Sequence, residues 1–313
     1  MKITATFLDE ISHDIPHQNW GRDEWDADFA SMRRVGIDTV VLIRCGYRDW
    51  LTYPSRALTR EVGAFMPPVD LVAMFLELSE RHGMSFYFGL YDSGRYWMEG
   101  DYERELELNR EVIAEVWSTY GTAAAFSGWY LSQECSRRID GIAELYRRLG
   151  TYCKSASDGL PVMISPYIDG PKARMGHGSG AGVDPGVALE THEREWDAIF
   201  RAISSAVDIV AFQDGHVDFR DLVGFLQVNR RLCDRYGLEC WTNTESFDRD
   251  MPIRFPPIKW EKLLFKLRAA EEAGIAQAIT FEFSHFMSPQ SAYLQAGHLY
   301  DRYREYLQAA AGG

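Results

Sequence analysis

The chain has few cysteines, no excess of basic residues, no long apolar run and no nucleotide- or metal-binding signature. Its five cysteines, Cys45, Cys135, Cys153, Cys233 and Cys240, are an odd set without CxxC spacing and sit in or beside apolar segments. That argues against a disulfide frame and for reduced, buried thiols. Lysine and arginine number 33 against 46 acidic residues, a formal net charge of −13. Such a surface repels phosphate backbones and anionic lipid, so nucleic acid and membrane surfaces are excluded as partners while neutral ligands such as sugars are not. No apolar run approaches the roughly 20 residues of a membrane span. Met1-Lys2-Ile3-Thr4-Ala5 leads directly into a strand-like stretch, with no basic segment, apolar core and cleavage site. The expectation is a cytoplasmic protein.

What remains is ordinary globular composition, 46% hydrophobic and 25% charged over 313 residues, long enough for one large domain. Near-continuous apolar runs recur at 3–10, 38–45, 85–92, 126–134, 161–169, 208–215, 238–247 and 276–286. Each ends in polar residues, as a parallel strand buried on both faces should. Helical patterns lie between and after them, at 22–35, 69–82, 101–120, 137–155, 188–205, 219–236, 258–273 and 290–309. Pro67-Pro68 precedes the second, and Gly36, Gly83, Gly121, Gly237 and Gly274 follow helix ends, as stop signals should. Eight βα units predict an α/β fold, a single-domain (β/α)8 TIM barrel over residues 1–313. A dinucleotide-binding fold is excluded because no GxGxxG follows Thr6-Phe7-Leu8-Asp9-Glu10. The one glycine-rich loop, 169–186, contains His177 and lacks the GK[ST] ending of a phosphate cradle; it reads as a lid over the C-terminal face.

In a TIM barrel the site is built from C-terminal strand ends and the loops after them. Those positions hold Asp9 and Glu10, Arg44 and Tyr47, Tyr91, Asp92 and Trp97, Gln133 and Glu134, Tyr167, Gln213 and Asp214, Asn243 and Glu245, and Glu282 with His285. Single aspartates there can cap turns. Three glutamates, Glu134, Glu245 and Glu282, are embedded in apolar strand segments, where a carboxylate is costly unless paired, hydrogen-bonded or protonated. Three at one barrel mouth point to chemistry. Glycoside hydrolysis needs a protonated carboxyl for the leaving oxygen and an ionised one as nucleophile or base. Glu134 is the expected general acid/base and Glu245 its partner, with Glu282 or Asp214 as alternatives to Glu245. Asn243, Gln213 and His285 would bind hydroxyls or tune the acids. Among 9 tryptophans and 16 tyrosines, Tyr47, Tyr91, Tyr167, Trp97 and Trp129 are placed to stack on sugar rings.

Several segments resemble one bacterial barrel family. They are Phe7-Leu8-Asp9-Glu10-Ile11-Ser12, Asn19-Trp20-Gly21, Gly36-Ile37-Asp38-Thr39-Val40, Tyr53-Pro54-Ser55, Gly128-Trp129-Tyr130-Leu131 before Glu134, Phe212-Gln213-Asp214-Gly215, and the run from Phe281 to Pro289. The family is catalogued as a domain of unknown function (the 4434 family) and is similar to glycoside hydrolases. The resemblance runs nearly end to end and implies the same barrel. A Glu closing strand four and another closing strand seven also resembles the large retaining-glycosidase clan, which implies retention of configuration. That clan usually has Asn before the first Glu, where this chain has Gln133.

Two other readings fit the same fold. A metal-dependent sugar isomerase or epimerase would ring a cation with Glu134, Asp214, Glu245, Glu282 and His285. No HxH or HExxH spacing supports it, and the expectation is no metal and no cofactor. A non-catalytic carbohydrate-binding barrel would keep ligand affinity without turnover. A carbohydrate is the expected partner in all three, and homo-oligomerisation is compatible with each.

Overall fold

The computed structural model describes residues 1–136, 140–172, 186–249 and 255–311. Eight strands close into a barrel in sequence order, every neighbouring pair parallel: β1 (Ile3–Leu8), β2 (Thr39–Leu42), β3 (Ser85–Gly89), β4 (Phe126–Leu131), β5 (Val162–Ile164), β6 (Ile209–Gln213), β7 (Glu239–Asn243) and β8 (Gln277–Thr280). The expected (β/α)8 barrel is the fold.

Strand period decides which side chains meet. Ala5 and Phe7, Val41 and Ile43, Tyr130, Ile209 and Ala211, and Trp241 belong to one buried cluster, the barrel interior. Their alternates Leu8, Val40, Leu42, Phe86, Phe88, Trp129, Leu131, Val210 and Phe212 belong to a larger cluster against the helices. Both faces are apolar, so the strands read as continuous hydrophobic runs.

Ten helices are present among the described residues: α1 (Arg22–Arg34), α2 (Arg56–Val62), α3 (Leu71–His82), α4 (Tyr102–Tyr120), α5 (Ile142–Ala156), α6 (Leu189–Ile203), α7 (Phe219–Tyr236), α8 (Trp260–Glu272), α9 (Phe283–Phe286) and α10 (Leu294–Ala311). Starts of α2, α3 and α4 are capped by Ser55, Asp70 and Asp101, whose side chains accept from Leu58, Ala73 and Arg104 amides. The α3 and α7 ends fit the glycine rule. Gly83 and Gly237 take φ of 62° and 69°, and Met84 and Leu238 amides reach back five residues to the Ser79 and Cys233 carbonyls.

Three departures from the sequence reading matter for the site. Gly46–Tyr47, Trp50–Leu51 and Tyr91–Asp92 form a small separate sheet above β2 and β3, followed by the unforeseen α2. The run expected as strand 276–286 ends at Thr280, because the Glu282 carboxylate accepts from the Ser284 and His285 amides and starts the single turn α9. An unbroken apolar run does not distinguish buried strand from buried turn. The fifth helix starts at Ile142, its expected beginning at 137–139 lying outside the described residues, as do 173–185 of the glycine-rich loop, including His177. All five cysteines are buried and free. No helix among the described residues is long and apolar enough to cross a membrane.

Candidate active site

Alternation carries past each strand end and selects what reaches the mouth. On β4, Tyr130 points into the barrel, so Glu134, four residues on, shares that side. The Tyr130 hydroxyl donates to Glu134 Oε1 at 2.9 Å. Across from Oε1, Oε2 lies 3.7 Å from Arg44 Nη2. Arg44 Nη1 in turn meets Asp92 Oδ2 at 3.3 Å, and the guanidinium lies over the Tyr47 ring, 5.2 Å from its centre. His13 stacks on the same ring. Asp92 Oδ1 accepts from Trp97 Nε1 and the Gly94 amide, both at 2.8 Å, so Trp97 and Asp92 hold Arg44 in place. Burial pushes the Glu134 carboxyl up, against the pull of Arg44 and of the Tyr130 hydroxyl, with Asp9 and Asp92 adding repulsion. Its side chain keeps 25% of its surface, so a ligand can reach it.

Glu245 lies on the extension of β7, in phase with the inward Trp241 and Asn243. Only 2% of its side chain is exposed. Arg249 forks onto both oxygens, Nε to Oε2 at 2.8 Å and Nη2 to Oε1 at 2.6 Å. The Arg249 plane rests on Phe247 and Phe255. Burial alone would raise this carboxyl; the Arg249 charge and hydrogen bonds, with Lys266 and His216, hold it at about 2. Gly215 is required beside it, since a Cβ there would stand 2.0 Å from Oε2. The two glutamates thus stand in opposite electrostatic environments, one pushed toward the neutral acid and one held ionised.

Beneath them is a polar floor. Gln213 Nε2 donates to the Ser165 carbonyl at 2.7 Å and Asn243 Nδ2 to Ser165 Oγ at 3.0 Å. Both are nearly fully buried, and these bonds brace the strand ends beneath the two glutamates. Tyr167 sits half-buried at the rim with its ring against His216. Asp9, in phase with Ala5 and Phe7, accepts from the Ile11 and Ser12 amides through Oδ1, while its buried Oδ2 has no hydrogen-bond partner.

Other expected site residues are placed elsewhere. Asp214 accepts from Lys266 Nζ at 2.7 Å and from the Glu245 amide at 3.2 Å; it aims at α8 and orients Glu245 from behind. Burial raises it, with Lys266 pulling down and Glu245 repelling. Glu282 is the α9 cap and pairs with His285 Nδ1, while His285 Nε2 faces the Pro16 carbonyl at 2.7 Å and Glu10 at 3.7 Å. Tyr91 is buried with its hydroxyl on the Arg48 carbonyl. Trp129 packs among Phe88, Phe126 and Trp117 in the helical layer: it alternates with the inward Tyr130, so it stacks no sugar at the mouth. Tyr130, Arg249 and Lys266 were missed. Two had a signal: Tyr130 shares the strand phase of Glu134, and Lys266 interrupts the apolar face Leu263, Leu267, Ala270 of α8.

The outward acids bear on stability. Burial pushes Asp28, Glu105 and Glu10 up to about 7. Against its burial, Glu282 and Glu10 lift His285 to about 9. Unfolded, these carboxyls ionise near 4 and the imidazole near 6.5. Raised folded-state values mean stability that is complete below the unfolded values and is lost as pH rises through the folded ones. The melting temperature should therefore fall from pH 5 to pH 9, by about 2–4 °C for each kcal/mol lost. Calorimetry showing a flat or rising melting temperature over that range would contradict the assignment.

A closed parallel barrel with carboxyls gathered at the C-terminal ends of its strands places the chain in the TIM-barrel class, with a fold shared by glycoside hydrolases. Within that class it belongs to the family described as "Domain of unknown function (DUF4434)", which matches residues 3–293. It is 59% identical to the "putative alpha-L-fucosidase" of Bacteroides thetaiotaomicron VPI-5482, with a TM-score of 0.93 over 98% of this chain and 93% of that one. The endo-1,4-beta-D-mannanase of Thermotoga petrophila RKU-1 is similar at 10% identity and TM-score 0.56, over 90% of this chain and 87% of its own. The GH2 beta-galacturonidase of Eisenbergiella tayi is similar at 11% identity and TM-score 0.57, over 97% of this chain and 51% of its own. The last two likenesses are of fold alone. No curated protein matches the chain.

Proposed function

We propose that the protein hydrolyses a glycosidic bond, with Glu134 as general acid/base and Glu245 as nucleophile. The observation that carries this is the pair of inward carboxyls on the extensions of β4 and β7, one pushed up by burial and the other held at about 2 by Arg249. Carboxyls whose environments push them apart divide into acid and anion. Neutral Glu134 gives its proton to the leaving oxygen as a Glu245 oxygen attacks the anomeric carbon and the glycosidic C–O bond breaks. Water then attacks that carbon, giving its proton to the Glu134 carboxylate, and the bond to Glu245 breaks with its electron pair returning to the carboxylate. Arg249 occupies one lone pair on each Glu245 oxygen and leaves another on each.

Retention is favoured over inversion by the same environment. A carboxyl held near 2 is a poor general base for water at neutral pH. The relative at 59% identity directs the substrate choice to α-L-fucosides. Among the described residues no group of three His, Cys, Asp or Glu side chains is spaced to hold a metal; at the mouth, Arg44 and Arg249 neutralise the acids instead. The test is a panel of 4-nitrophenyl glycosides headed by the α-L-fucoside, followed by NMR of the first-formed anomer. Release of nitrophenol with the anomeric configuration kept is expected. An inverted product removes the nucleophile role from Glu245, and no hydrolysis across the panel removes the enzyme reading.

A further inference from the structure

A second concavity opens beside the small sheet above β2 and β3. It encloses about 410 Å³ and is lined by Arg48, Asp49, Tyr91, Ser93, Arg95 and Tyr96 among others, within the roughly 300–1,000 Å³ of small-molecule sites. Its wall touches the wall of the mouth. Gly94 in that wall packs so closely on Tyr47 that a Cβ would stand 2.9 Å from the ring. The Arg48 guanidinium lies 5.2 Å from the centre of the same ring, whose other cation is Arg44 of the mouth.

The backbone here is held in an uncommon form. Arg48 has φ of 55°, a left-handed conformation that side-chain-bearing residues rarely adopt. Two hydrogen bonds fix it, Arg48 N to the Asp92 carbonyl at 3.1 Å and the Tyr91 hydroxyl to the Arg48 carbonyl at 2.7 Å. Such local strain is found where a surface is built for binding. Next in the chain to the lining residue Asp49, Trp50 is 60% exposed and pairs with Phe65, 56% exposed, with ring centres 5.2 Å apart. The Phe65 amide donates to the Asp49 carbonyl at 2.8 Å, which ties this platform to the cavity.

Planar rings beside arginine and aspartate suit a sugar, whose ring face is apolar and whose hydroxyls both donate and accept. A protein partner would favour a flat apolar patch, and a phosphate-bearing ligand a site without the Asp49 carboxylate and a less acidic chain. We propose that this cavity and its Trp50–Phe65 rim form a distal subsite for a neutral oligosaccharide whose scissile bond lies at Glu134. The proposal rests on the glycosidase reading and adds that the substrate extends beyond one sugar unit, toward Tyr47 and then Arg48.

The test uses the full chain and two variants, Trp50→Ala and Tyr96→Ala, against the best aryl glycoside of the panel and an oligosaccharide of at least four units carrying the same terminal sugar. On the oligosaccharide kcat/KM should fall tenfold or more, mainly through KM, while the aryl glycoside stays within twofold. Equal losses on both substrates, or no loss on either, overturn the subsite. A direct measurement separates the two readings: the Trp50 indole N–H resonance, followed while neutral oligosaccharides are added. A shift without turnover of any substrate keeps the sugar site and removes the hydrolase; turnover without a shift does the reverse. Dissociation of a dimer in the Trp50→Ala chain, with oligosaccharide kinetics unchanged, gives the rim to a second copy and overturns the proposal.

Discussion

Glu134→Gln should lower kcat/KM on glycosides with poor leaving groups by about 100-fold or more, the scale of losing a general acid, and should spare aryl glycosides whose phenols leave without a proton. The contrast follows from position. Glu134 is the carboxyl at the mouth with a quarter of its side chain accessible, and burial raises it toward the neutral form. A good leaving group does not need that proton when the first bond breaks. The parent enzyme should also lose activity as pH rises through the Glu134 value, since the proton to be delivered is gone. Gln cannot titrate, so this alkaline limb should vanish from the variant's profile on activated substrates. Comparable losses on poor and good leaving groups, with the alkaline limb intact, would move the acid role to another residue. Tyr130→Phe and Arg44→Met are informative controls, because both groups favour the charged carboxylate. Each substitution should move the limb to higher pH and leave the leaving-group dependence in place.

Much of this was legible in the sequence, and the part that was has a common physical origin. Parallel strands buried on both faces produce apolar runs, and glycine after a helix produces the left-handed stop seen at Gly83 and Gly237. Both are local, so the barrel and its strand ends could be read directly. Glu134 and Glu245 stood out because a carboxylate in an apolar run must be compensated somewhere. What did not show was the identity of the partner. Arg249 meets Glu245 across a loop, Lys266 reaches Asp214 from a helix 52 residues on, and Arg44 joins Glu134 to Asp92 across three strands. The last two depend on closure of the barrel, which no local pattern contains, and the first on the path of a loop that no helix or strand period describes. Glu282 shows the same limit from the other side. Its setting in Phe281-Glu282-Phe283 matched that of a catalytic acid, yet two backbone amides and His285 take up its oxygens. Strand period could have placed Trp129 correctly, since Tyr130 and Trp129 cannot both face inward.

Arg249→Met should convert a pH-independent anion into a titrating one. In the parent chain Glu245 stays ionised down to about pH 2 because the guanidinium outweighs the cost of burial. Without it, burial and repulsion from Asp214 act against Lys266 and His216 only, and the carboxyl moves up toward its ordinary value of 4.5. The acid limb of kcat/KM should follow it. At pH 3.5, about one unit below that value, the variant should fall about tenfold below its own activity at pH 7, a tenfold fall corresponding to about 1.4 kcal/mol of lost preference for the anion. Arg249→Lys keeps the charge without the two-pronged geometry and should lie between. Glu245→Gln removes the nucleophile itself and should lower turnover by about 1,000-fold or more on good and poor leaving groups alike, unlike Glu134→Gln. The measurement is a set of kcat/KM profiles from pH 3.5 to 9 on one activated substrate. A uniform drop in Arg249→Met at every pH, carried by KM, would make Arg249 a substrate-binding group instead of the clamp on Glu245.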